Sequence, residues 1–277
     1  MNKISTLVIP AAGLGTRLRP ITHITPKEMI RIVDKPVFYY LLKEAYEASI
    51  NKIIFIIHKD NKKLESFFRT NEAREILEEF GDMKIIFVKT DKRNGDGQAI
   101  LQAKNLFKKD EFFAVSMGDF LSLPNKSVIN ELVNEYNKNY SSIISIAKVP
   151  KNQVYLYGVI SGKKTKKNIY KVNSIVEKPK PEESPSNLAM TAKYIINSNI
   201  FPILEKISDE VEAGEEIKLA NALNIFAKDN ALCACETINT SYDMGTKHML
   251  ARTELIFSMN NLDIKKHLIN IIKKYAR

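Results

Sequence analysis

The stretch "KIIFIIH", residues 52–58, has no polar side chain between its ends. A strand with one face in water alternates apolar and polar residues, whereas an unbroken apolar run belongs to a strand covered on both faces. "STLVIP" near the start, "KIIFVK" at 84–89 and "FFAVSM" at 112–117 read as further strands. Segments with apolar residues at helical spacing lie between or beside them: "VFYYLLKEAYEAS" at 37–49, the stretch from "KLESFF" through residue 80, "GQAILQAKNLF" at 97–107 and "SVINELVNEYNK" at 127–138. Strands alternating with helices predict a parallel sheet with helices on both sides.

The pattern then changes. "SIISIAKV", "YGVIS", "YKVNSIVE" and "AKYIIN" read as strands, helices are expected near 200–207 and 217–227, and the segment from 246 to the end reads as helical. No Gly- or Ser-rich linker cuts the chain of 277 residues, so one large domain is expected.

The net charge of +10 comes from lysines scattered among glutamates. That reads as a solvated surface or as a surface for anionic ligands. No basic patch with interleaved aromatics points to nucleic acid. The two cysteines, Cys233 and Cys235, alternate on one strand face, lack a second metal-binding pair, and read as buried strand residues. The absence of a disulfide framework fits a reducing cytoplasm. The first apolar run is interrupted by Pro10 and gives way to Arg17 and Arg19, so it reads as a strand and not a signal peptide. No stretch approaches the length of a membrane span, and no membrane partner is expected.

The loop after the first strand, "AAGLGTRLRPITHITPKEM" at 11–29, is long, polar and glycine-bearing. Ligands of parallel α/β sheets bind beyond the carboxyl ends of the strands, and a loop of this length is usually functional. Glycines let backbone N–H groups approach a phosphate, and Arg17 and Lys27 add charge-assisted hydrogen bonds. Two phosphate motifs are excluded: Leu18 stands where the dinucleotide fingerprint needs its last Gly, and no Gly-Lys-Ser/Thr ends a P-loop. Composition alone leaves an anion site and a plain connecting loop both open.

"PAAGLGTRLRPITHITPKEM" followed by "VDKPVFYY" resembles the signature of the sugar nucleotidyltransferases, which make nucleoside-diphosphate sugars. "GDGQAIL", "MGDF", "YGVI", "VEKPKPEESPSNLA", "GEEIKLANAL" and "YDMGT" match in order over almost the whole chain. The "PKEM" and "VDKP" spelling is similar to the uridylyltransferase branch. The resemblance implies a three-layer α/β/α nucleotide-diphospho-sugar transferase fold with a mostly parallel mixed central sheet. It also implies a division into a nucleotide-binding half at 1–140, a sugar-phosphate half at 141–245 and C-terminal helices at 246–277. The implied reaction is Mg²⁺-dependent uridylyl transfer from UTP to glucose 1-phosphate by a homodimer or homotetramer.

By the same resemblance, Arg17, Lys27 and Lys178 are the catalytic cations. Ala11, Ala12, Gly13, Gly15, Thr16, Glu28 and Gly97 bind the nucleotide. Gly158, Glu177 and Glu216 bind the sugar, and Asp119 and Asp243 hold the metal. Plainer roles exist: Asp119 could cap a turn, and Glu177 with Lys178 could be a surface ion pair. Some positions depart from the family. Thr90 stands where a Gln reads uracil, Gln98 where His is usual, Arg31 where Pro is usual, and Lys218, Leu219, Ala220 and Asn221 replace Gln-Leu-Thr-Asp. These leave a sister enzyme with another base or hexose open. A non-catalytic binding protein is disfavoured, because binding alone does not require the metal carboxylates.

Overall fold

The computed structural model describes residues 3–81, 83–136, 142–212, 214–229 and 232–275. The strands are β1 Thr6–Ala11, β2 Arg31–Ile32, β3 Lys35–Pro36, β4 Lys52–His58, β5 Lys84–Thr90, β6 Phe112–Ser116, β7 Phe120–Ser122, β8 Ser142–Lys148, β9 Gly158–Lys164, β10 Ile169–Glu177, β11 Leu188–Asn197, β12 Leu232–Glu236 and β13 Ser241–Asp243. The helices are α1 Ile21–Ile24, α2 Val37–Glu47, α3 Lys63–Phe67, α4 Asn71–Glu78, α5 Asp96–Leu101, α6 Val128–Glu135, α7 Ile200–Glu210, α8 Leu219–Asp229, α9 Lys247–Asn260 and α10 Leu262–Tyr275.

Nine strands form one sheet in the order β5-β4-β1-β6-β11-β8-β12-β10-β9. β5, β4, β1 and β6 are mutually parallel, as the alternation of strands and helices predicts. β11 enters antiparallel between β6 and β8. β12 is parallel to β8, and β10 is antiparallel to both β12 and β9. Only β10 and β11 therefore run against the rest, and the sheet is mixed but mostly parallel.

Alternate residues of each inner strand feed opposite cores. Leu7, Ile9, Ile53, Phe55 and Ile57 face one cluster with Phe38 and Leu41 of α2 and Phe257 of α9. Val8, Ile54 and Ile56 face the other, with Ile100 of α5, Leu204 of α7 and Phe226 of α8. These are the two helical layers that the unbroken apolar runs require. Burying a side chain the size of Phe55 stabilises the fold by about 2 kcal/mol, and Phe55 is fully buried.

The expected helix through residue 80 is two helices, because the chain turns at 68–70 and the Thr70 hydroxyl accepts the Ala73 N–H at 3.3 Å to cap α4. The expected helix at 97–107 is shorter, with α5 ending at Leu101 and a 3₁₀ turn at Lys104–Leu106. The tail of the helix expected to 138 lies outside the described residues. Among the described residues, no helix is long and apolar enough to cross a membrane.

Candidate active site

A cavity of about 550 Å³ opens at the carboxyl ends of the parallel strands. That is ordinary for a small-molecule site. The loop after β1 lines one wall through Ala12, Gly13, Gly15, Thr16 and Arg17, and Lys27 reaches in from the turn that follows α1. Asp119, between β6 and β7, and Asp243, at the end of β13, form the floor. Gly158, Glu177, Lys178 and Glu216 line the cavity as well.

The two aspartates meet through a two-stranded ladder too short to announce itself in the sequence. β7 pairs antiparallel with β13, with Asp243 opposite Phe120, and the Met244 N–H donates to the Asp119 carbonyl at 2.9 Å. Gly245 then lies where three side chains converge. A Cβ there would stand 3.0 Å from Asp243 Oδ1, 3.1 Å from Arg17 Nη2 and 3.3 Å from Asp119 Oδ2.

Charge separates the roles of these carboxyls. Lys27 Nζ lies 3.3 Å from Asp119 Oδ2. Burial by itself raises the Asp119 carboxyl, but the charge and hydrogen bond of Lys27, with Arg17 adding, hold it below the usual range. Burial likewise lowers the Lys27 ammonium, and Asp119 and Glu28 more than reverse it. Burial leaves the Asp243 carboxyl above its usual range; the Gly245 N–H, donating at 2.6 Å, opposes this and the charge of Asp119 adds to it.

This donor set suits one hard divalent cation. Magnesium binds through one or two carboxylates and completes its shell with phosphate and water oxygens. No group of three His, Cys, Asp or Glu side chains among the described residues forms a protein-only cage.

Also on the cavity, Glu177 Oε1 lies 3.9 Å from Lys178 Nζ and 3.7 Å from Lys218 Nζ. Lys178 has φ 50°, and its N–H donates to the Tyr157 carbonyl at 2.9 Å. A non-glycine residue in the left-handed region is uncommon and concentrates at functional sites.

Three residues expected on the nucleotide side do not line the cavity. Ala11 is buried within β1. Glu28 is buried beneath the loop against Gly118. Gly97 is packed against Ile217, and its N–H is engaged by the Asp96 carboxylate and the Ile217 carbonyl. Gly95, Asp96 and Arg93 line that wall instead. Thr90 does not line the cavity either: it is buried at the end of β5, and its hydroxyl accepts the Lys92 N–H at 3.0 Å. Among the lining residues that the motifs leave without a role are Gly245, Arg93 and Lys218; Gly245 is visible in the sequence as the glycine two positions past Asp243.

Residues 6–255 match the nucleotidyl transferase family. The chain belongs to that family. A UTP–glucose-1-phosphate uridylyltransferase of Streptococcus pyogenes is 33% identical, the match covering 100% of this chain and 96% of that protein. A UDP-glucose pyrophosphorylase solved with UDP-glucose superposes with a TM-score of 0.82 at 31% identity, over 93% of this chain and 100% of the other. A UTP-bound enzyme of the same kind from Acinetobacter baumannii gives 0.81 at 26% identity, over 98% and 99%. As a nucleotidyl transferase, this chain is an enzyme, and its mixed sheet is the fold of these relatives.

Proposed function

We propose that this nucleotidyl transferase joins UTP to glucose 1-phosphate, releasing UDP-glucose and pyrophosphate. One observation carries the reading: a single cavity is lined by Arg17, Lys27, Asp119 and Asp243, which cluster together, and also by Glu177 and Lys178. The relatives, which act on or bind UTP, glucose 1-phosphate or UDP-glucose, support the substrate pair.

In this reading a phosphate oxygen of the sugar phosphate attacks the α-phosphorus of UTP, and the bond to the pyrophosphate oxygen breaks. The protein forms no covalent bond; it positions two anions and neutralises them. Arg17 and Lys27 face the triphosphate. Lys178 meets the sugar phosphate, and Glu177 accepts hexose hydroxyls, with Glu216 beside it. The backbone of 12–16 cradles the nucleotide. Asp119 and Asp243 would hold Mg²⁺, which when bound neutralises phosphate charge. The chain acts as one domain, in the cytoplasm, with a second copy or more of itself.

Lys218, which lines the cavity, favours one alternative, a sister enzyme with another base or hexose. The test is pyrophosphate release with Mg²⁺ and glucose 1-phosphate across UTP, dTTP, CTP, ATP and GTP, with Asp119→Asn as control. Selective turnover with UTP that collapses in the variant is expected. Turnover with another triphosphate moves the base. Silence with all five, and with other sugar phosphates, overturns the reading.

A further inference from the structure

Beneath the two aspartates lies a lysine that no solvent reaches. Lys193 of β11 is 0% exposed. Its ammonium donates to Ser116 Oγ at 2.6 Å, to the Phe120 carbonyl at 2.8 Å and to Glu44 Oε2 at 2.7 Å. Ser116 and Phe120 bracket the turn that carries Asp119. Glu44 of α2 in turn accepts the Ser122 hydroxyl at 2.7 Å and the Ile129 N–H at 3.2 Å. One ammonium thus ties β6, β7 and α2 together under the carboxylates.

The backbone is distorted where it delivers this side chain. The β11–β8 register shifts between Met190 and Tyr194, and Ala192 sits at φ 62°. Alanine in the left-handed region carries strain that surrounding structure must offset. Ser145 helps hold the bulge: its hydroxyl donates to the Lys193 carbonyl at 3.0 Å and accepts the Lys193 N–H at 3.2 Å. The Ala192 carbonyl accepts the Met117 N–H at 3.1 Å.

A buried ion pair is a poor source of stability, since apolar residues of similar volume often do as well or better. Its value here is geometric. The Phe120 carbonyl is pinned from below, and Phe120 is the residue paired with Asp243 across the β7–β13 ladder. We propose that Lys193 is a positioning residue: its ammonium sets the separation and aim of Asp119 and Asp243 by clamping the turn that carries Asp119 and leads into the strand paired with Asp243. The inference rests on the metal role given to that pair above.

The experiment measures Mn²⁺ affinity by electron paramagnetic resonance, with UTP present and no sugar phosphate, alongside thermal midpoint and steady-state kinetics. Three variants are compared: Lys193→Met, the double variant Glu44→Leu/Lys193→Met, and Lys193→Arg. The double variant removes the whole pair, so its thermal midpoint is expected near wild type. Its Mn²⁺ affinity is expected to stay about 10- to 100-fold weak, the range seen when a support behind a metal ligand is lost. kcat falls with it while KM for UTP holds. Lys193→Arg keeps a donor for the Phe120 carbonyl and recovers most of the affinity. Wild-type Mn²⁺ affinity in the double variant overturns the inference, as does equal weakness in the Arg and Met variants. If Lys193→Met does not fold, the other two variants decide. A wild-type enzyme that binds no Mn²⁺ overturns the metal role, and the inference with it; binding in wild type and equally in the double variant overturns the inference alone.

Discussion

Asp243 stands directly across the β7–β13 ladder from Phe120, one residue past Asp119. Residues far apart in sequence thereby present carboxylates to the same point, and Gly245 leaves that point open. Replacing Gly245 with Ala puts a methyl within 3.0–3.3 Å of Asp243 Oδ1, Arg17 Nη2 and Asp119 Oδ2. All three must shift. Misplacement of this kind costs on the order of 10²-fold in rate. Gly245→Ala is expected to lower kcat by about that factor with little change in thermal midpoint. A variant with wild-type kcat shows that the convergence is unused.

Gly158, proposed above to contact the sugar, has its own close approach. A Cβ on Gly158 would lie 2.3 Å from Met190 Cε and 3.0 Å from Glu177 Oε2. The methionine end can move aside, but the carboxylate then loses its aim. Gly158→Ala is expected to raise KM for glucose 1-phosphate by roughly tenfold, about 1.4 kcal/mol, and to leave KM for UTP near its original value. Equal rises in both constants contradict the division of the cavity.

Thr90 tests base reading. Its hydroxyl is committed to the Lys92 N–H, and its side chain is buried away from the cavity. Thr90→Val is expected to cost about 1 kcal/mol of stability, the worth of one hydrogen bond, and to leave triphosphate preference unchanged in a competition assay. A switched preference returns Thr90 to the base pocket.

Glu28 makes stability depend on pH. Burial pushes its carboxyl up to about 7 from 4.5, against the opposing pull of Lys27. The folded state therefore binds the proton more tightly than the unfolded state. Its contribution is fully present below pH 4.5, falls as pH rises through 7, and is level above that. Glu28→Gln has no such titration, and Lys27 keeps Asp119 as its partner at 3.3 Å. The variant is expected to gain stability relative to wild type between about pH 5 and pH 8, by up to about 3 kcal/mol. Chemical denaturation at the two pH values checks it; parallel changes in both proteins refute it.

Much of the architecture is legible in the order of apolar and polar residues alone. The unbroken run at 52–58 requires burial on both faces, and Phe55 and Ile54 do face opposite cores, whereas the similar run at 84–89 forms the half-buried edge strand β5. Strand order and element boundaries are less so. A strand as short as β7 has no period to detect, and the split at 68–70 depends on one capping hydroxyl. Arg17 and Lys27 stand out as cations of a long glycine-bearing loop, but Asp119, Lys178 and Asp243 stand out only through their motifs, since a lone Asp after a strand also suits a turn.

What the linear chain determined was the layering and the inventory of charges, because side-chain periodicity and residue type are local properties. Which charges meet was decided by tertiary structure alone. Thr90 and Gly97 do not line the cavity, and neighbouring groups claim their polar atoms. Gly245 gains meaning only when β13 folds back onto β7. Lys193 reads as an ordinary charged residue in a strand until the bulge at Ala192 carries its ammonium beneath the aspartates. Distance across the sheet, which no local pattern encodes, turns that charge from a surface feature into a buried clamp.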